Sequence, residues 1–248
     1  AINHWGWRVT IIALSIIGCF LALLVWSIVR DSPETVTQGH KFQSPPKKSE
    51  LKRLQQVCRN RQTWLIALYS FAIWAPITAF AALWGIPFLV ASYGLTTEAA
   101  SIASAMIWLG IGLGSPLMGW YSDKIGSRSK PLSLSALLGI ISLTIIIYAP
   151  PLSLPWLYFT LFTFGLAASG QSLAFGVVKD NNTSCVVGTA IGFNNMAVVA
   201  GGALFQPLIG ILLYVNWSRL TYNGTPFYGI DKKKKAFFVL PLCYVLAL

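Results

Sequence analysis

Residues 119–131 read GWYSDKIGSRSKP, and they lie between two long runs without a charged side chain. Asp123 is one of only seven acids in the chain. Lys124, Arg128 and Lys130 crowd the same stretch, and Gly119 and Gly126 punctuate it. A chain this poor in charge has little reason to concentrate it. The stretch therefore marks a turn where two apolar segments meet water.

The runs on either side are long. No charged side chain lies between Arg8 and Arg30, Arg61 and Glu98, Glu98 and Asp123, Lys130 and Lys179, or Asp180 and Arg219. A bilayer core of about 30 Å needs about 20 apolar residues in a helix. Each gap holds one span, and the gap from 130 to 179 holds two. The 248 residues are 55% hydrophobic and only 10% charged, with a mean hydropathy of +0.65. A soluble domain carries roughly a quarter charged residues. The runs do not alternate as barrel strands do, and unpaired backbone groups do not face lipid, so the spans are helices. They are expected at 8–29, 63–90, 99–120, 132–150, 155–178 and 187–214, with a partial one at 236–248. That last segment makes only about 20 Å of helix, too short to cross. The chain reads as a piece of a longer protein.

Charge orients these spans. Eighteen basic residues stand against seven acidic ones, for a net charge of +11. They gather between the apolar runs, which fits membrane orientation and excludes nucleic acid as a partner. Residues 30–61 carry eight Lys/Arg and 121–131 carry three, whereas 91–98 and 150–155 carry none. The positive-inside rule puts the first two segments in the cytoplasm. Residues 215–235 disagree: alternation places them outside, yet they hold Arg219 and four lysines at 232–235. The segment 31–61 is polar and basic, with Pro33, Pro45 and Pro46 near its start and middle. Its end, 49–61, is either a short amphipathic surface helix with Leu51, Leu54 and Val57 on one side or the helical end of a solvated linker.

The pattern Gly-x-x-x-Asp-Lys-x-Gly-x-Arg-x-Lys, running from Gly119 to Lys130, resembles the cytoplasmic loop motif of major facilitator superfamily transporters. In that family the motif lies between the second and third helices of each six-helix half. Here it follows span 99–120 and precedes 132–150, which resemble helices eight and nine. Span 8–29 resembles helix six, entered through Gly6, Trp7 and Arg8 and left through Arg30, Asp31, Ser32 and Pro33. The run GTAIGFNNM at 188–196, followed by GGALFQPLIG at 201–210, resembles helix eleven. The resemblance implies an all-α transmembrane bundle of the superfamily type. Residues 1–30 then form helix six, 31–62 the basic cytoplasmic central loop, and 63–248 the C-terminal transmembrane half, helices seven to twelve with the last incomplete. Helices one to five are absent, so the partners expected are the lipid bilayer, a small-molecule solute and the missing N-terminal half.

The chemistry of the motif follows from its residues. Gly119 suits close approach of helix backbones. A carboxylate at Asp123 accepts hydrogen bonds from Arg128 or from the positive end of a neighbouring helix. Bonds to a charged group contribute on the order of 1.5–3 kcal/mol, enough to bias a two-state equilibrium about tenfold. The resemblance implies a latch that closes the cytoplasmic side, built from Gly119, Asp123, Lys124, Gly126, Arg128 and Lys130, with the start of 187–214 as partner. The plainer alternative is that the basic residues only set topology.

Substrate contacts are expected near mid-membrane, where helices of the two halves face each other. Tyr69 and Trp74 in span 63–90 offer polar tips beside Pro76, which bends a helix. Gln171, Asn194 and Asn195 are amides within apolar spans, and an amide is costly in lipid unless bonded. They line a cavity or bond between helices. The spacings Gly110-x-x-x-Gly114 and Gly188-x-x-x-Gly192 suggest packing faces. No acid, lysine or arginine lies mid-span, so no proton or ion relay is expected in these helices.

Other chemistry finds little support. Cys19, Cys58, Cys185 and Cys243 are far apart, and His4 and His40 are isolated, so no disulfide framework, metal or cofactor is expected. No nucleophile, base or metal constellation points to an enzyme. The expected function is transport of a small organic solute by alternating access: an organic anion, an amino acid, a dipeptide or a sugar-like compound. The alternatives are a non-transporting remnant or interaction module and, further off, a seven-helix receptor. A bacterial inner (plasma) membrane is the first expectation. A lysosomal or other eukaryotic membrane is the second, and only there would the glycosylation-type triplets beginning at Asn216 and Asn223 matter.

Overall fold

The computed structural model describes residues 2–29, 50–217, 221–222, 225–226 and 228–248. Most of the basic linker, His40, Arg219 and the hydroxyl-bearing end of the first glycosylation-type triplet lie outside the described residues, as does Asn223. The chain divides into two compact units, residues 1–47 and 48–248. Among the described residues the first contains one helix, α1 (Ile2–Ile28), broken at Gly6, where φ is 76°. Its apolar side chains from Ile11 to Val29 are exposed, as expected of a segment whose solvent is lipid.

The second unit is a helical bundle. Its elements are α2 (Glu50–Arg59), α3 (Arg61–Pro76), a π-helical segment (Ile77–Trp84), α4 (Gly85–Tyr93), α5 (Thr97–Ile125), α6 (Ser129–Tyr148), α7 (Leu154–Ala168), α8 (Gly170–Asp180), α9 (Val187–Val215), α10 (Ile230–Phe237) and α11 (Val239–Ala247). A two-residue pairing, β1 (Thr221–Tyr222) with β2 (Thr225–Pro226), lies between α9 and α10. Among the described residues, six continuous helical stretches are long and apolar enough to cross a membrane: Gly6–Ile28, Arg61–Tyr93, Thr97–Ile125, Ser129–Tyr148, Leu154–Asp180 and Val187–Val215. These match the expected spans, and 236–248 is again the short one.

Packing inside this unit centres on two helix pairs, α5 with α7 and α3 with α9, with α6 against α7 and α11 wedged between α3 and α6. The core is aromatic where the π segment, α4, α7 and α10 meet. Phe80 has Phe88, Phe164 and Phe237 at ring-centroid distances of 5.8, 6.2 and 6.0 Å. Edge-on contacts of this kind add about 0.5–1.5 kcal/mol per pair beyond area burial. The outer surface is apolar. On α5, Leu109, Leu113, Leu117 and Trp120 are all exposed, a lipid-facing stripe rather than a fault in the fold.

Small residues are used selectively. A Cβ at Gly114 would stand 2.6 Å from the Ser169 hydroxyl oxygen, and one at Gly110 would strike the Phe162 carbonyl. The Gly110-x-x-x-Gly114 face therefore packs α5 against α7, as the spacing suggests. Gly188 and Gly192 meet nothing within 4 Å, and neither does Gly119. At those positions the expected close approach is absent among the described residues. The close contact of α9 falls instead at Gly201 and Gly202, where an added Cβ would lie 3.0 Å from side-chain carbons of Ala75 and Thr78.

Two further observations concern helix ends. On α2, Leu51 and Leu54 are exposed and Val57 is buried. Val57 docks into a small cluster with Ile66, Ala174, Val178, Val186 and Ala190, which plugs α2 onto one end of the bundle. The charged stretch is also less of a loop than 121–131 suggests. α5 continues through Asp123 and Lys124 to Ile125. Gly126 stops it by adopting the left-handed φ of 66° that glycine tolerates best.

Candidate functional site

The Gly126 cap folds the chain back so that Arg128 points at the last turn of α5. The Gly126 N–H donates to the carbonyl oxygens of Ser122 (3.0 Å) and Asp123 (3.3 Å). The buried Ser122 hydroxyl donates to the Ser127 carbonyl at 3.2 Å. On this frame Arg128 Nη1 donates to Asp123 Oδ1 at 3.2 Å and to Ser122 Oγ at 3.3 Å. Arg128 Nε donates to Asp180 Oδ2, again at 3.2 Å. One guanidinium thus joins the α5–α6 turn to the end of α8. Sequence reading aimed this arginine's site at the start of α9; the second carboxylate belongs to Asp180, at the end of the preceding helix.

The environment of these ion pairs sets their strength. The side chains of Arg128, Asp123 and Asp180 are 41%, 74% and 50% exposed. Pairs so open to water contribute about 0–1 kcal/mol each, less than the 1.5–3 kcal/mol expected from charged hydrogen bonds in general. Two pairs on one fork, anchored on Ser122, still fix the direction of the guanidinium. Lys124 lies over the Trp120 ring, 5.0 Å from its centroid, and Lys130 is exposed. Neither joins the fork.

A second set of polar contacts stands at the same end. Asn60 caps α3 by accepting from the Gln62 N–H at 3.0 Å, and its amide donates to the Asn181 carbonyl at 2.9 Å. The Asn182 amide donates to Thr63 Oγ1 at 3.2 Å and to the Val178 carbonyl at 2.9 Å. The start of α3 is therefore stitched to the α8–α9 turn, one residue from the Asp180 that Arg128 grips. Sequence reading passed over Asn60, Asp180 and Asn182. Asp180 was visible beside Lys179 between two uncharged runs, but nothing local to it names its partner.

The cavity candidates separate. Tyr69 is partly buried and its hydroxyl donates to the Leu132 carbonyl at 3.1 Å, bridging α3 to α6. Trp74 is half-buried against the main core. Gln171 and Asn194 are 5% and 0% exposed, and neither amide has a hydrogen-bond partner on its nitrogen or its oxygen. The buried Ser70 hydroxyl is in the same condition. These three lie on α3, α8 and α9, which pack on one another. Asn195 points the other way and is exposed.

Span 63–90 changes its winding just after Pro76. Pro76 supplies no N–H, so the Ala72 carbonyl loses its usual donor. The next eight residues wind as a π-helix, ending with the Gly85 N–H bonded to the Phe80 carbonyl five residues back. Neighbouring helices reach its carbonyls. The Gln206 amide donates to the Thr78 carbonyl at 2.8 Å, and the Trp84 indole returns a bond to the Gln206 carbonyl at 3.3 Å. The Ser104 hydroxyl donates to the Ala81 carbonyl at 3.5 Å. π-helical turns are rare and favour functional sites. Gln206 was legible only as part of the helix-eleven pattern, not as the clamp it forms.

A bundle of this architecture, with the capped Asp-Lys-x-Gly-x-Arg turn at one end, is a membrane carrier fold. A family model described as Major Facilitator Superfamily matches residues 1–206 of the chain. The chain therefore belongs to the major facilitator superfamily. No match was found among the curated proteins.

Proposed function

We propose that this chain is the C-terminal half, with the preceding helix, of a secondary transporter that moves a small organic solute by alternating access. The solute class is an organic anion, an amino acid, a dipeptide or a sugar-like compound. In this reading residues 1–30 act as helix six, 31–62 as the central cytoplasmic loop and 63–248 as helices seven to twelve. The other face of the solute cavity belongs to an N-terminal half. The motif end lies in the cytoplasm, a reading supported by its basic residues, and the membrane proposed is a bacterial inner one.

The observation that carries the proposal is the Arg128 fork. Arg128 holds Asp123 and Asp180 at 3.2 Å each, so the motif turn and the end of α8 move together. A half that rocks as one body needs such ties at the end that opens and closes. Gln171, Asn194 and Ser70 support a polar path in the same half. Buried amides without partners cost free energy, and a solute or water reached in another state of the cycle offsets that cost.

The test is uptake by the full-length transporter in proteoliposomes, measured with a labelled panel of organic acids, amino acids, dipeptides and sugars. Uptake of at least one class down its gradient is expected. No flux for any member by well-folded protein would overturn the transport reading. Normal flux in Asp123→Ala and Arg128→Ala variants would overturn the latch alone.

A further inference from the structure

The end of the bundle opposite the motif has an unexplained feature: four successive lysines, 232–235, with Asp231 as the one acid beside them. Topology fixes their place. α5 and α8 end, and α6 and α9 begin, at the motif end; α10 packs instead on α4, on α9 and on α6, where Tyr148 closes the last turn. The Tyr148 hydroxyl donates to the Lys234 carbonyl at 3.3 Å, so α10 rests on the far end of α6. Such a charge cluster runs against the orientation rule that the rest of the chain obeys, so topology does not account for it.

The lysines are not equivalent. Lys233 turns inward, where it donates to the Pro87 carbonyl at 3.2 Å, and burial lowers its pKa from the ordinary lysine value. Lys234 and Lys235 line a cavity of about 550 Å³ with Tyr148, Asp231 and Phe238. No ion pair holds either of them among the described residues. Below the cavity, Phe238, Leu242 and Leu246 form one exposed row on the same helical face. On α6 the exposed row of Ile141, Ile145 and Tyr148 runs from the same cavity. Two cationic heads therefore stand above two apolar rails at the rim of a membrane-spanning bundle.

We propose that this cavity is a binding site for an anionic phospholipid of the leaflet opposite the motif. Its phosphate sits between the ammonium groups of Lys234 and Lys235, and its acyl chains lie along the rails of α6 and α11. Lysine binds phosphate as a point charge with three donors, and the amphipathic rim supplies the apolar contact that a soluble anion does not use. Asp231 refines the choice. Its carboxylate accepts a bond from a headgroup hydroxyl, as in a glycerol headgroup, while the net charge of the patch stays positive. The proposal rests on membrane residence and not on the transport reading.

The experiment uses the full chain, purified in non-ionic detergent and stripped of lipid. Native mass spectrometry then measures retention of phosphatidylglycerol, phosphatidylethanolamine and phosphatidylcholine with identical acyl chains. Phosphatidylglycerol should bind at least about fivefold tighter than the other two, since a juxtamembrane lysine contributes roughly a factor of five. Lys234→Gln with Lys235→Gln should erase that preference, and Lys234→Arg with Lys235→Arg should keep it. Equal retention of the three lipids, or a preference that survives the double glutamine variant, would overturn the proposal. So would displacement of the lipid by glycerol 3-phosphate at the same concentration, which would define a site for free phosphate. Loss of preference in the arginine variant as well would point to damage at α10 rather than lost charge, and would also count against it.

Discussion

The two ends of the bundle handle charge in opposite ways. At the motif end acids and bases are interleaved: Arg128 reaches Asp123 and Asp180, and Asn60, Thr63 and Asn182 tie the start of α3 to the α8–α9 turn. At the far end four lysines face a single aspartate, and only Lys233 has a side-chain hydrogen bond among the described residues. The first end pairs each of its acids among the described residues, with Lys124, Lys130 and Lys179 left over as separate exposed bases. The second is open, and its charge is available to something outside the chain. The difference teaches that charge count alone does not separate a structural tie from a binding surface; pairing does.

The largest expected break in this contrast is Arg128→Ala. It removes both ion pairs and the bond to Ser122, and solute uptake should fall about tenfold or more while thermal stability barely moves, because each exposed pair is worth about 0–1 kcal/mol. Gln206→Leu, between the ends, leaves the Thr78 carbonyl without its interhelical donor. It should cost about 1–3 kcal/mol in unfolding free energy, read by denaturation in detergent. Asn60→Ala removes the α3 cap and the tie to Asn181, for about 1 kcal/mol; Asn60→Asp should recover the cap but not the tie. Asp180→Asn should change stability by less than about 1 kcal/mol, and the difference from wild type should vanish at high salt.

Lys233 offers the mildest test, and it belongs to the open end. Its pKa is lowered in the folded protein, so the unfolded chain binds more protons in the window between the lowered value and the ordinary one near 10.5. Stability must then rise as pH climbs through that window. A Lys233→Met variant should lose this alkaline gain. A retained gain would place its origin elsewhere.

Much of this architecture is legible from charge spacing. The gaps between Arg61, Glu98, Asp123, Lys130, Lys179 and Arg219 locate the spans because lipid disfavours charge inside them, and the long helices of the structure cover those gaps and carry the charges from Arg61 to Lys179 in their end turns. The motif is legible because its residues are adjacent in sequence. What fails is anything that depends on a neighbour. Gly188 and Gly192 have the spacing of a packing face, but among the described residues nothing lies within 4 Å of a Cβ placed on them; Gly201 and Gly202, without that spacing, make the contact. Asp180 is 52 residues from Arg128, and a lone charge carries no address. Buried Gln171 and exposed Asn195 look alike in sequence, because an amide does not state which way its helix face turns. Pro76 announces a disturbance, yet the π winding that follows depends on Gln206 and Ser104 arriving from other helices.

That winding makes the helix torsionally compliant. In the stretch Ile77–Ala81 each carbonyl has a backbone N–H both four and five residues onward, so a π turn there can tighten into an α turn without leaving a backbone group unbonded, whereas Pro87 removes that choice for Ala82 and Leu83. Each such change rotates α4 about its axis relative to α3, like a threaded joint turned by part of a revolution. The Gln206 and Ser104 bonds act as set screws on that joint, and the Asn60 stitch holds its base.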